Sequence, residues 1–244
     1  TTLFRSSYDM ALRQAQELGF AEANPESDVL GYDAARKLSI LSTLAYDNRV
    51  YWKDVYLEGI TDIDEKDIEY AKKLNCKIKL VARSKYESGE VSGFVRPALV
   101  DNNNMLSKID NEFNVVILVG DSVGELSFVG KGAGRGATGS AVYADVIDIF
   151  DNRIANIDQF TQDKIEVEKT ISNKCQVLLR FKSPKKEEII SLINACLDQY
   201  DVIEDNDELA VMVYADSEYE INNILCLIKD KGYCKESRKL LKIS

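Results

Sequence analysis

The stretch from Glu22 to Lys37 (Glu-Ala-Asn-Pro-Glu-Ser-Asp-Val-Leu-Gly-Tyr-Asp-Ala-Ala-Arg-Lys) constrains this chain more than any other. Pro25 has a fixed φ and crowds Asn24 out of the α region, so the segment enters as a loop. Gly19 is placed to end a helix over 9–18. Ser27 or Asp28 can then cap a second helix running to about Ala45. On that helix Asp33 and Lys37 stand four apart and share a face. Glu22 and Asp28 fall at its mouth, near the positive end of the helix dipole. Spacing alone also describes an ordinary solvated acid–lysine pair, contributing roughly 0.2–0.5 kcal/mol to a helix. A lysine held among carboxylates has a second use: it can donate a proton beside groups that bind a substrate ammonium.

The rest of the sequence narrows the class. At 244 residues the chain can bury a sizeable core, and one or two domains are expected. Its 45% hydrophobic and 30% charged residues suit a soluble globular protein. A net charge of −10 argues against nucleic acid or an anionic membrane surface as partner. No apolar run approaches the roughly 18–20 residues that cross a bilayer, and no signal peptide is visible. The five cysteines (Cys76, Cys175, Cys196, Cys226, Cys234) form no CxxC pair, and there is no histidine. That argues against a metal site and excludes an imidazole base. Reduced, mostly buried thiols in a cytoplasmic protein are expected. None of the five has an obvious activating base, which disfavours a cysteine nucleophile.

Patterning predicts an α+β chain. A short strand near Tyr51–Leu57 is expected, then a helix capped by Asp64 and running to Leu74, with acids in its first turn and Lys72 and Lys73 in its last. Strands at Lys77–Ala82 and Val91–Val100 flank a turn at Glu87–Gly89. Strands at Asn114–Val119 and Glu125–Val129 flank Gly120–Ser122. Such hairpins imply a mixed or antiparallel sheet with helices on one face. A helix is read over Thr138–Phe150. Residues 151–172 read as a polar linker after a first domain over 1–150. From 173 to 244 the order is strand Cys175–Phe181, helix Lys185–Tyr200, weak strand Asp201–Glu204, strand Glu208–Ala215, helix Glu218–Gly232 and strand Lys239–Ile243. That is the ferredoxin-like βαββαβ arrangement.

The order of residues from Ala21 to Leu38 closely resembles the signature of homoserine dehydrogenases. Two further stretches carry the same resemblance: Glu58-Gly59-Ile60 followed by an acidic helix and Lys77–Leu80, and Gly132-Ala133-Gly134 leading to Thr138–Val142. The resemblance implies reduction of L-aspartate 4-semialdehyde to L-homoserine with NAD(P)H, on the route to threonine, methionine and isoleucine. By the same resemblance, Lys37 and Asp33 are catalytic and Glu22 and Asp28 bind substrate. Gly132 and Gly134 border the cofactor, and the C-terminal unit resembles a regulatory ACT domain that senses an amino acid. Such enzymes form homodimers or larger homo-oligomers.

Two departures matter. The loop 132–137 fits GxGxxA, the dinucleotide fingerprint, yet no βαβ unit follows it. A glycine turn at a helix start, close to bound ligand, is the reading preferred. The ACT-type loop ordinarily carries a glycine, whereas this chain has Lys182-Ser183-Pro184-Lys185-Lys186, which leaves a structural or dimerising role on an equal footing with binding of an amino-acid effector. The family also carries an N-terminal dinucleotide-binding domain ahead of the region matched. The chain is therefore expected to correspond to a C-terminal fragment that binds no cofactor and is inactive alone. The alternative class is a non-catalytic amino-acid-binding or oligomerisation module.

Overall fold

The computed structural model describes residues 13, 16, 17, 24–111, 113–132, 134–153, 158–161, 163–204, 206 and 208–243. Most of the helix expected over 9–18, with Gly19 and Glu22, lies outside the described residues. The helix expected from Ser27 is in fact two: α1 (Glu26–Val29) and α2 (Tyr32–Tyr46). Gly31 separates them at φ +80°, a left-handed conformation that costs glycine little. The position is also crowded. A Cβ at Gly31 would stand 3.0 Å from Leu57 Cδ1 and 3.2 Å from Val95 Cγ1. The N-cap of α2 is Gly31, with no side-chain cap, so neither Ser27 nor Asp28 caps the long helix. Helix α2 buries Ala35, Leu38, Ser42 and Thr43. Its far end is tied down by Ser39 Oγ donating to Val50 O at 2.6 Å and by Ser42 Oγ bonded to Ser84 Oγ at 2.6 Å.

The strand expected over 51–57 is confined to β1 (Tyr56–Leu57), because Trp52–Asp54 turns as a 3₁₀ helix. Helix α3 (Glu65–Lys73) begins as the sequence predicts. Asp64 accepts from the Asp67 amide at 2.8 Å, and Asp67 accepts from the Asp64 amide at 3.0 Å, a reciprocal capping box. Strands β2 (Cys76–Glu87) and β3 (Glu90–Asp101) form a hairpin paired without a break from Cys76↔Asp101 to Glu87↔Glu90. Its two turn residues, Ser88 and Gly89, both have positive φ (54° and 87°), the geometry that matches strand twist in a two-residue turn. Among the described residues, strands β4 (Phe113–Gly120) and β5 (Gly124–Lys131) pair only with each other, and α4 (Arg135–Phe150) follows with no buried residue.

The segment expected to be a linker returns to the sheet: β6 (Val167–Glu168) pairs with Val91 and Ser92. The C-terminal unit then runs β7 (Cys175–Phe181), α5 (Lys186–Cys196), β8 (Gln199–Glu204), β9 (Leu209–Ala215), α6 (Glu218–Asp230), β10 (Ser237–Ile243). The strand order β10-β7-β9-β8 is antiparallel throughout. Helix α5 stops at Cys196, short of the expected Tyr200, because Gln199 and Tyr200 pair with Tyr214 and Val213. Strand β10 also pairs in parallel with Ala98–Val100 of β3, fusing everything except the β4–β5 hairpin into one eight-stranded mixed sheet.

Both faces of this sheet are covered. Val177, Leu179, Phe181, Val211 and Val213 pack against Ile189, Ile193, Ile221 and Ile228 of α5 and α6. On the opposite face Leu178, Met212 and Leu240 meet Leu99 and Tyr70, the latter brought by α3. Each such side chain contributes about 1.5–3 kcal/mol on full burial. Arg180 lies on this second face and pairs with Asp64 at 2.8 Å, with Glu208 at 3.1 Å, and with Asp67.

Gly59 tests how closely the loops are fitted. A Cβ there would fall 2.5 Å from Val29 O and 2.7 Å from Leu30 Cα, both backbone atoms. Gly59→Ala should lower stability by about 1–3 kcal/mol in urea unfolding, the cost of overpacking. Gly130→Ala, where a Cβ meets nothing within 4 Å, should stay within about 0.5 kcal/mol of the parent.

Candidate active site

The first turns of α2 bring two of the expected residues, Asp33 and Lys37, together. Lys37 Nζ lies 2.7 Å from Asp33 Oδ2, with side chains 55% and 45% exposed. Asp28 is exposed on α1, one loop away. Glu22 lies outside the described residues. The loop is braced from behind by Glu58–Ile60: the Ile60 amide donates to Val29 O at 2.8 Å, and the Glu58 amide donates to Val95 O at 2.8 Å. Arg36, which sequence reasoning passed over, donates from Nη1 to Ser27 Oγ at 3.2 Å and lies over the Trp52 ring. An ammonium fixed beside a carboxylate at an open loop can stabilise negative charge on a substrate oxygen and deliver a proton to it.

Gly132 and Gly134 stand elsewhere, at the base of the β4–β5 hairpin. Gly134 caps α4 at φ +108°, with nothing within 4 Å of where a Cβ would be, and a Cβ on Gly132 would strike Asn114. Ala133 lies outside the described residues. The strand that follows α4, β6, pairs with β3 rather than β5, so among the described residues the loop is not part of a βαβ unit. The preference for a glycine turn at a helix start over a dinucleotide fingerprint agrees with that topology.

Behind the brace sits a buried charge cluster that periodicity did not reveal. Arg96 of β3 makes a two-pronged pair with Glu218 of α6, at 2.5 and 2.8 Å, with both residues buried. Lys239 Nζ reaches the same carboxylate at 2.7 Å, and the Ile171 amide donates to it at 3.1 Å. Burial would raise the Glu218 carboxyl, but Arg96 and then Lys239 outweigh it and hold it at about 2. Nearby, Tyr56 donates to Glu58 Oε2 at 3.1 Å. Burial, followed by the Glu58 charge, pushes Tyr56 up to about 12, and burial raises Glu58 against the Tyr56 bond and Arg96. The available signal was a lone arginine inside an apolar run of each of two strands, Arg96 within 93–100 and Arg180 within 177–181, since a charge is rarely buried without a partner.

The family model for homoserine dehydrogenase matches residues 2–147, more than half of the chain and all of the segment that forms this loop and helix. The chain belongs to the homoserine dehydrogenase family. Helicobacter pylori homoserine dehydrogenase is 36% identical over 199 residues, covering 81% of this chain and 47% of that protein. The Bacillus subtilis enzyme is 40% identical over 148 residues, 61% of this chain and 34% of that one. The crystal structure of Staphylococcus aureus homoserine dehydrogenase at pH 6.0 superposes with TM-score 0.77 and 33% identity, over 98% of this chain and 60% of that chain. That of the Thiobacillus denitrificans enzyme gives 0.81 and 25%, over 98% and 59%. The chain thus spans half or less of the length of these curated relatives. The structural coverage extends through the C-terminal unit, beyond the family model.

The Glu218 cluster makes stability depend on pH. Its folded value lies below the ordinary value of 4.5, so its contribution is complete above about pH 4.5 and is lost as pH falls toward about 2. Glu218→Gln should flatten that acid limb in urea midpoints measured from pH 7 to 3. At pH 7 the change should cost about 3–5 kcal/mol, because Arg96 loses its buried partner.

Proposed function

We propose that the complete protein reduces L-aspartate 4-semialdehyde to L-homoserine with NAD(P)H, as part of threonine, methionine and isoleucine biosynthesis. The observation that carries this reading is the Asp33–Lys37 pair at 2.7 Å, at the head of α2 in the family-matched region. NAD(P)H supplies the hydride when bound. As negative charge develops on the aldehyde oxygen, Lys37 stabilises it and gives up a proton. Asp33, one turn back, holds the Lys37 ammonium in place. Asp28 and Glu22 make the loop negative where the substrate α-ammonium binds. Gly132 and Gly134 let backbone approach the nicotinamide end, in keeping with the open space around Gly134.

We assign the dinucleotide-binding domain to the part of the relatives that this chain does not span, so residues 1–244 alone bind substrate without turnover. The non-catalytic reading as an amino-acid-binding or oligomerisation module describes that isolated chain. The domains are 1–150 for substrate and 173–244 for an ACT-type unit, with 151–172 between them. The ACT-type unit is structural rather than effector-binding. Its first loop is occupied internally: Ser183 Oγ donates to Tyr233 O, the Lys185 amide donates to Ser183 Oγ at 3.0 Å, and Lys186 Nζ donates to Asn206 O at 2.5 Å.

A homodimer through the β4–β5 hairpin and α4 is supported by their uncovered apolar side chains. Val119 is 74% exposed, Phe128 61%, Ile149 70% and Phe150 81%. Among the described residues no helix is long and apolar enough to cross a membrane, and a cytoplasmic setting suits the free thiols.

In the complete enzyme Lys37→Ala should lower kcat by roughly 10²-fold or more, with KM changing less. A near-normal kcat would return the pair to solvent decoration. Residues 1–244 alone should unfold cooperatively, bind L-homoserine in calorimetry and oxidise no NAD(P)H. Stoichiometric nicotinamide binding by this chain would overturn the domain assignment. Threonine should give no calorimetric signal with the C-terminal unit, and a sub-millimolar response would restore an effector role. Phe128→Asp should shift sedimentation toward monomer, and an unchanged oligomer would move the interface elsewhere.

A further inference from the structure

Asp33 has two cations within reach on its own helix. Arg36 is three residues on and Lys37 four, and both spacings allow an ion pair. A guanidinium grips a carboxylate with a planar fork that an ammonium cannot match. Yet Asp33 is paired with Lys37, and Arg36 is turned aside. Its guanidinium carbon lies 5.2 Å from the centre of the Trp52 ring, and its Nη1 is bonded to Ser27 Oγ at 3.2 Å.

Trp52 is the chain's one tryptophan. Its ring is set by Tyr32, edge-on at 5.9 Å and 79°, and by Tyr51 at 6.3 Å. It packs half-buried on the cluster that contains Ala35, Leu38 and Val95. Lys53 Nζ lies 5.6 Å from the same ring, so the indole is a cation platform beside the site. Indole is the strongest of the aromatic faces for a cation.

We propose that Trp52 is a positioning residue for the site: its indole face takes up the Arg36 guanidinium and leaves the Asp33 carboxylate to Lys37. The inference rests on the Asp33–Lys37 reading above. Without the ring, Arg36 swings to Asp33 and Lys37 loses the partner that holds it over the substrate oxygen. The damage then comes from Arg36 itself, and that gives a test no merely structural role would pass.

In the complete enzyme Trp52→Leu should lower kcat about 10-fold, as expected of a misplaced proton donor, with KM held within about 3-fold. Trp52→Phe, which keeps an aromatic face, should stay within about 3-fold of the parent. Arg36→Gln alone should leave kcat within about 3-fold. The double variant Trp52→Leu/Arg36→Gln should recover to the level of Arg36→Gln, since the competing cation is gone. A double variant as slow as Trp52→Leu would overturn the proposal.

Should Trp52→Leu not fold, residues 1–244 carry the test through fluorescence, because their only tryptophan is the reporter. Arg36→Gln should change Trp52 emission, and L-homoserine should change it in the parent. Emission unmoved by both would overturn the proposal. If Lys37→Ala keeps a normal kcat, the site reading itself fails. If Lys37→Ala is slow and the double variant is not rescued, only the role of Trp52 fails.

Discussion

The far edge of β3 must satisfy its backbone groups while β2 occupies the near edge along its whole length. No single strand does this. Three short segments share it in line: β6 at Val91–Ser92, β1 at Phe94–Val95 and β10 at Ala98–Val100. An unpaired buried amide or carbonyl costs about as much as a lost hydrogen bond, so each segment is held in register by that requirement. The loop bearing Asp28 is positioned through this arrangement. β1 leads into Glu58–Ile60, which brace Val29 and Leu30, while Val95 packs against Gly31.

The C-terminal unit is joined to the rest by strand pairing and by buried charge together. Arg96 projects from the same strand that supports the loop, and its carboxylate partner belongs to α6. A second cluster, Arg180 with Asp64, Asp67 and Glu208, joins β7 to the capping box of α3. In each case an arginine on one part of the sheet is neutralised by acids from an element far away in sequence. Truncating one partner leaves a buried charge, so the clusters penalise separation of the units more than they reward their union.

What the sequence disclosed follows a physical division. Local chemistry was legible. The Asp64 cap, the turn at Ser88–Gly89 and the shared face of Asp33 and Lys37 all depend on residues within about four positions of one another, and the βαββαβ order is a succession of such local patterns. What depended on distant neighbours was not. The apolar periodicity runs through Gly31 without a sign that the helix would break there, beside Leu57 and Val95. Trp52 offered no hint that it would collect Arg36 rather than extend a strand. Likewise the pairing of Arg96 with Glu218 links positions that no window of the sequence contains. The roles proposed for Lys37, Asp33 and Asp28 came from resemblance, and the structure adds the close pairing of Asp33 with Lys37. Glu22 lies outside the described residues.

The pairing of β3 with β10 also bears on how such a chain emerges from a ribosome. Leu241 pairs with Ala98, about 140 positions earlier. At roughly 5–20 residues per second, part of the β3 edge waits on the order of ten seconds for its partner. Throughout that interval Ala98, Leu99 and Val100 lack their β10 partner and offer unpaired backbone and apolar side chains to whatever is nearby. A nascent chain of this design is therefore a natural client for chaperones that shield extended apolar segments. Slowing translation downstream of β3 should favour aggregation of the nascent chain, even though the finished sheet is well covered.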